Sequence, residues 1–187
     1  MMIGRVAAAA ALMVLLAQGV AGAVTTAAVP AAIQPAGARL LFTAQASGMQ
    51  IYRSVADPGG PLHWQLQAPL AQLTGDDGRI LIRHYAGPSW EAADGSKAML
   101  DPAGKVVAVP APPETDATAM PDIPWLLVPV TASPEPDNAA PGVLGQVAFV
   151  QRSATHGGAA PATPPLRPDT QIGVAYTATY AFFARAE

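Results

Sequence analysis

The densest cluster of potentially reactive side chains is one stretch, His84-Tyr85-Ala86-Gly87-Pro88-Ser89-Trp90-Glu91-Ala92-Ala93-Asp94-Gly95-Ser96-Lys97. An imidazole titrates near neutrality, so His84 is a candidate proton shuttle or general acid/base, with Glu91 or Asp94 as its charge partner. Tyr85, Ser89 and Trp90 offer hydroxyl and ring surfaces to a bound ligand. Downstream, Gly157-Gly158 can form a backbone nest for an anion or simply a turn. The central stretch also has a purely structural reading. Gly87-Pro88 makes a turn, Trp90 plugs the core, and Asp94-Gly95 closes a hairpin. Glu91 and Lys97 are then solvated charges, and His84 is a partly buried, hydrogen-bonded ring.

Other chemistries find little footing. His63, His84 and His156 are widely separated, and none lies at the short spacing of a metal motif. No metal site and no cofactor is expected. The sequence lacks Gly-x-Ser-x-Gly, Ser-x-x-Lys and His-Glu-x-x-His. Gly142-Val143-Leu144-Gly145 lacks the third glycine of a dinucleotide fingerprint and its strand–helix context. There is no phosphate loop. The chain has no cysteine, which removes a thiol nucleophile, a zinc–thiolate centre and an acylated lipid anchor.

The elements that must position these groups read as strands. Short β-branched and aromatic runs are cut by Gly, Pro and Asp, and no helical stripe of useful length occurs. Strands are expected at Arg39–Ala46 and Gln50–Ser54, joined by a hairpin turn at Ser47-Gly48. Asp57-Pro58-Gly59-Gly60-Pro61 is a turn, followed by a strand at His63–Gln67. Asp76-Asp77-Gly78 turns into Arg79–Tyr85, where Ile80, Ile82 and His84 face opposite to Leu81 and Arg83 by the period of two. Further strands are expected at Lys105–Val109, Trp125–Thr131, Gly145–Arg152 and Gly173–Phe183. A turn or two of helix is expected around Ser89–Ala93, capped by Ser89. Pro110–Pro124, Pro134–Pro141 and Pro161–Pro168 are loops, because proline removes ladder donors. Such punctuation fits a mainly β, single-domain antiparallel sandwich or barrel with long Pro/Gly-rich loops and little helix.

The N-terminus carries an address. Arg5 precedes the apolar run Val6 to Ala17, and Ala21-Gly22-Ala23 has the small-x-small form that signal peptidase reads. Twelve apolar residues are too few to cross a bilayer, which takes roughly 20. Residues 1–23 are therefore expected to be a cleaved signal peptide, 24–38 a flexible Ala/Pro-rich lead-in, and 39–187 one β domain. The formal net charge of −3 and the scattered basic residues give no footprint for nucleic acid. No membrane span and no lipid anchor are expected.

Several segments together resemble the exported family known as domain of unknown function 3455. They are Gly48-Met49-Gln50-Ile51-Tyr52, the stretch from His84 to Lys97, and Ile123-Pro124-Trp125-Leu126-Leu127. Val150-Gln151-Arg152 with Gly157-Gly158-Ala159-Ala160-Pro161-Ala162-Thr163, and Tyr176-Thr177-Ala178-Thr179-Tyr180-Ala181-Phe182-Phe183, complete the set. The resemblance implies export and one mostly β domain. The family pattern has a cysteine just after the Ile-Tyr pair and another after the Gly-Gly-x-Ala-Pro segment. Here Ser54 and Pro165, or a close neighbour, stand instead, and their joint loss is what a lost pair implies.

The sequence thus points to an exported, periplasmic or extracellular, non-enzymatic binding or structural module, with a small molecule or a surface partner as its expected partner. The alternative is a small extracellular enzyme using His84 with Glu91 or Asp94.

Overall fold

The computed structural model describes residues 27–75, 80–113, 120–133 and 142–186. The expected signal peptide, the turn at Asp76-Asp77-Gly78, part of the Pro110–Pro124 stretch and all of Pro134–Pro141 lie outside the described residues. Nine strands follow a 3-10 turn at Ala31–Ile33: β1 (Ala38–Ala56), β2 (Leu62–Thr74), β3 (Ile80–Tyr85), β4 (Ser89–Ala92), β5 (Lys97–Leu100), β6 (Val107–Val109), β7 (Trp125–Ser133), β8 (Phe149–Gly157) and β9 (Gln171–Arg185). They form one sheet in the order β5-β4-β3-β2-β1-β9-β8-β7-β6, and β5 also pairs with β7. That last pairing closes a ring in which neighbours are antiparallel. β6 lies on the same edge of β7 as β5, facing Trp125–Leu127 while β5 faces Val130–Ser133. The β5–β7 pairing joins the two ends of the sheet, while among the described residues the 62–70 part of β2 pairs on one side only, with β1.

Three expectations about local structure need correction, the first being the strand at Gly145–Arg152, whose opening residues form a turn ahead of β8. Ser47-Gly48 is not a turn, since β1 runs unbroken through it for 19 residues. Glycine is required there for close approach, because a Cβ at position 48 would collide with the Leu70 carbonyl and with Ala71 on β2. Bending of the long strand is taken up by irregularities at Ile51/Tyr52 and Leu40/Phe42. Nor is Ser89–Ala93 helical. It forms β4, because an extended backbone turns Trp90 and Ala92 into the core while pairing with β3 and β5.

Period-two alternation sets the inside. Ala44 and Ala46 of β1, Ile82 of β3, and Tyr176, Ala178 and Tyr180 of β9 are buried. Thr43, Gln45, Ser47 and Thr177 point outward and are exposed. One lateral row runs Tyr176, Gly48, Ala71, His84, Trp90, Ala98 across five strand pairings. Its large rings are offset by small residues, the Gly48–Ala71 pair and Ala98, as a narrow barrel needs.

Two chain segments cap the core. Leu144 and Val147 enter beside the β4–β5 turn, and Ile123 enters near the opposite end, beside Gly157 and Gly158. Ile33, within the stretch expected to be a lead-in, is fully buried against Trp125 and Leu127 on the outside of the ring. Gln151 Nε2 donates to its carbonyl at 2.7 Å. Ser54, at one position where the family pattern carries cysteine, is buried and hydrogen-bonds through its backbone to Asp169 and Thr170. The chain around Pro165 is further tied to β2 by Trp64 Nε1 donating to the Thr163 carbonyl at 3.0 Å. Among the described residues no helix is long and apolar enough to cross a membrane.

Candidate functional site

The stretch from His84 to Lys97 forms three short strands, so its side chains alternate between two environments. His84 and Trp90 are direct cross-strand partners and point inward. Their rings stack with centroids 4.5 Å apart and planes 4° from parallel, and Tyr180 meets the His84 ring edge-on at 5.5 Å. The Nδ1–H of His84 donates to the Ser89 carbonyl at 2.9 Å, the tautomer that a carbonyl partner demands. Burial lowers the His84 pKa to about 4, outweighing the Ser89 carbonyl, which favours the charged ring; the Arg152 charge adds to the lowering. His84 is a neutral imidazole at pH 7.

The outward side chains form a separate system. Arg83, Glu91 and Lys97 lie opposite one another on β3, β4 and β5. Glu91 Oε1 is 3.0 Å from Arg83 Nη2 and 4.0 Å from Lys97 Nζ, while Tyr85 donates its hydroxyl to Oε2 at 2.9 Å. The Tyr85 hydrogen bond first, then the two cations, hold the Glu91 carboxyl below its ordinary pKa. Burial and the adjacent carboxylate raise the Tyr85 phenol.

Asp94 has a third role. Its Oδ1 accepts from the backbone and hydroxyl of Ser96 at 3.0 and 2.6 Å, and its Oδ2 accepts from Val143 N at 2.7 Å. The Ser96 hydroxyl is the main cause that holds the Asp94 carboxyl low. This clamp fixes the segment that carries Leu144 into the core. Glycine at 142 is needed because a Cβ would press on Ser96 and Asp94.

The structure therefore does not bring the expected acid/base pair together: His84 bonds Ser89, Glu91 bonds Tyr85 and its cations, and Asp94 bonds Ser96 and Val143. Ser89 and Trp90 are buried. Gly157 and Gly158 have positive φ, 72° and 86°. Their backbone groups are engaged internally: Asp122 Oδ1 accepts from Gly157 N, Ile123 N donates to Gly157 O, and Tyr52 donates to Gly158 O at 2.7 Å. Among the described residues no three His, Cys, Asp or Glu side chains are grouped to hold a metal.

Two features were missed by reading local sequence. One is a groove of about 510 Å³ on the outer face of β1–β3, lined by Ser47, Met49, Leu70, Gln72, Arg83 and Tyr85. The other is an interior polar cluster. Arg152, 8% exposed, projects from β8 and donates through Nε and Nη2 to the Pro124 carbonyl at 3.1 and 2.7 Å. Its charge bears on Tyr52, His84 and Tyr176, and Tyr176 meets Tyr180 hydroxyl to hydroxyl at 3.4 Å. Burial raises the Tyr52 and Tyr176 phenols, so both stay neutral. A usable signal existed, for these residues come from the segments that carry the family resemblance.

Fold and site define a closed antiparallel β-domain with a ring-filled, partly polar interior. The chain belongs to the family described as protein of unknown function (DUF3455), which it matches over residues 35–184. No curated protein and no solved structure matches the chain.

Proposed function

We propose that this is a non-enzymatic binding module working outside the cytoplasm, and that the groove over β1–β3 receives a small apolar ligand. The observation that carries this reading is the alignment of exposed apolar side chains there. Met49 and Leu70 are register partners, 47% and 59% exposed, and Tyr85 on β3 follows beside Leu70. Ser47, Gln72 and Arg83 form a polar row along one side. Small-molecule sites commonly combine an apolar wall with a few polar groups in roughly 300–1,000 Å³. The catalytic alternative lacks comparable support, since His84 is buried, neutral and out of contact with Glu91 and Asp94.

The test uses 1-anilinonaphthalene-8-sulfonate as an apolar probe. Saturable fluorescence enhancement by the folded protein should fall at least roughly tenfold in affinity in Leu70→Asp and Met49→Asp, because each places a carboxylate in the apolar wall. Equal dye binding by both variants would remove the groove from consideration. The extracytoplasmic part of the reading rests on Arg5, the apolar run and Ala21-Gly22-Ala23. N-terminal sequencing of protein from the culture fluid or periplasm should begin at Val24.

A further inference from the structure

The interior of the ring holds more hydrogen-bond donors than the described residues satisfy. Arg152 Nε and Nη2 share one acceptor, the Pro124 carbonyl, and among the described residues no carboxylate pairs with this guanidinium. Gln50 Nε2 and Trp90 Nε1 are also buried without an acceptor there. Native proteins rarely leave such groups unmatched, and an unmatched buried donor commonly marks a bound water or ion. A guanidinium also cannot shed its proton to escape a buried site.

Two of these groups, the Arg152 guanidinium and the Gln50 amide, lie towards one end of the barrel. Pro124, which holds the guanidinium, follows Ile123, the residue that caps this end. The Gln50 stem lies against Gly158, as do Ile123 and Tyr176. The titratable groups on which the Arg152 charge bears are Tyr52 and Tyr176, both neutral phenols, and His84, a neutral imidazole. None supplies a negative charge at pH 7.

We propose that this end of the interior is a binding site for a small carboxylate, held by the outer edge of the Arg152 fork with the Gln50 amide as a second donor. The Nη1 edge presents parallel N–H groups that match two carboxylate oxygens, a geometry that a halide cannot use. One cation balances one negative charge, so a dianionic phosphate would carry an uncompensated charge into a site of low dielectric. This site is separate from the outer groove and does not depend on the apolar ligand assigned to it.

Acetate is the probe, titrated into the full mature protein at pH 7 with ionic strength held constant by sodium fluoride. Tryptophan emission, which includes the interior Trp90, and the thermal midpoint are the readouts. The expected result is a saturable emission change and a raised midpoint with acetate, with chloride at least roughly tenfold weaker as a point ligand. Arg152→Met should abolish the response and Gln50→Met should weaken it. Should Arg152→Met fail to fold, Gln50→Met still decides, since an unchanged acetate titration in that variant overturns the proposal. So would the lack of any saturable response in the wild type, or chloride binding as tightly as acetate.

Discussion

The inner and outer faces of β3–β5 share a backbone and differ in every physical respect. Inside, His84 and Trp90 stack parallel, edge-on to Tyr180, uncharged and shielded from water. Outside, Arg83, Glu91 and Lys97 form a solvated row joined by Tyr85. Side chains one residue apart in sequence thus belong to different chemistries. Proximity along the chain made His84, Glu91 and Asp94 look like one constellation; the pleat separates them. The inner face is packed for stability, whereas the outer face is where we propose recognition, and each claim can be broken separately.

The largest effect is expected at Trp90. Its side chain is 1% exposed and fills the row between His84 and Ala98. Trp90→Ala should cost about 3–5 kcal/mol in denaturant-unfolding free energy, through lost burial and the cavity left behind. A cost no greater than that of an exposed-residue change would show that the inner stack does not hold the domain.

His84 gives the inner face a pH signature. Its folded pKa of about 4 lies below the ordinary 6.5, so between those values the unfolded chain binds the proton and the folded chain does not. Unfolding free energy should therefore be at full value above pH 6.5 and fall as the pH drops towards 4. The loss is at most about 3–4 kcal/mol, from roughly 1.4 kcal/mol per pKa unit. His84→Phe keeps a ring for Trp90 and removes the titration, so the slope in that window should flatten. Measured slopes that are the same in both proteins would mean that the imidazole is protonated in the folded state or solvated there.

Asp94 tests the clamp between the hairpin and the segment that caps the core. Asp94→Ala removes the acceptor of Val143 N and of the Ser96 groups. Because the position is exposed and water can replace the carboxylate, the expected cost is about 1 kcal/mol. Hydrogen exchange should quicken at Val143 and Leu144 and not at Trp90. Uniform quickening across the barrel would deny the clamp a local role.

How much of this was legible in the sequence depended on the range of the interaction. Alternation in Arg79–Tyr85 correctly set Ile82 and His84 against Leu81 and Arg83, because that period is intrinsic to a strand. Ser47-Gly48 misled because glycine serves both turns and close strand contacts, and only Ala71, distant in sequence, distinguishes them. Ser89-Trp90-Glu91-Ala92 has a plausible helix start, yet pairing on both edges outweighs so weak a local preference. The Arg152 cluster was invisible to local reading, since ring closure assembles it from β1, β3, β8 and β9. Local motifs marked where chemistry-bearing residues lie; topology decided which of them meet.

The smallest effect is expected at Glu91, and it sharpens the contrast most. Three partners surround this carboxylate, Tyr85, Arg83 and Lys97, which makes it look important. Yet Arg83 and Lys97 have side chains 67% and 42% exposed, and water competes for each charge. Exposed ion pairs contribute little, and added salt screens what they contribute. Glu91→Gln keeps a hydrogen-bond acceptor for Tyr85, so it removes the charge while sparing most of the geometry. The thermal midpoint should stay within measurement error of the wild type at 0.5 M salt and fall only slightly at low salt, while the His84 pH window is preserved. If Glu91→Gln instead abolished that window or matched Trp90→Ala in cost, charge would be coupled through the sheet to the buried stack. The two faces would then be one functional unit, and the acid/base reading of His84 and Glu91 would return.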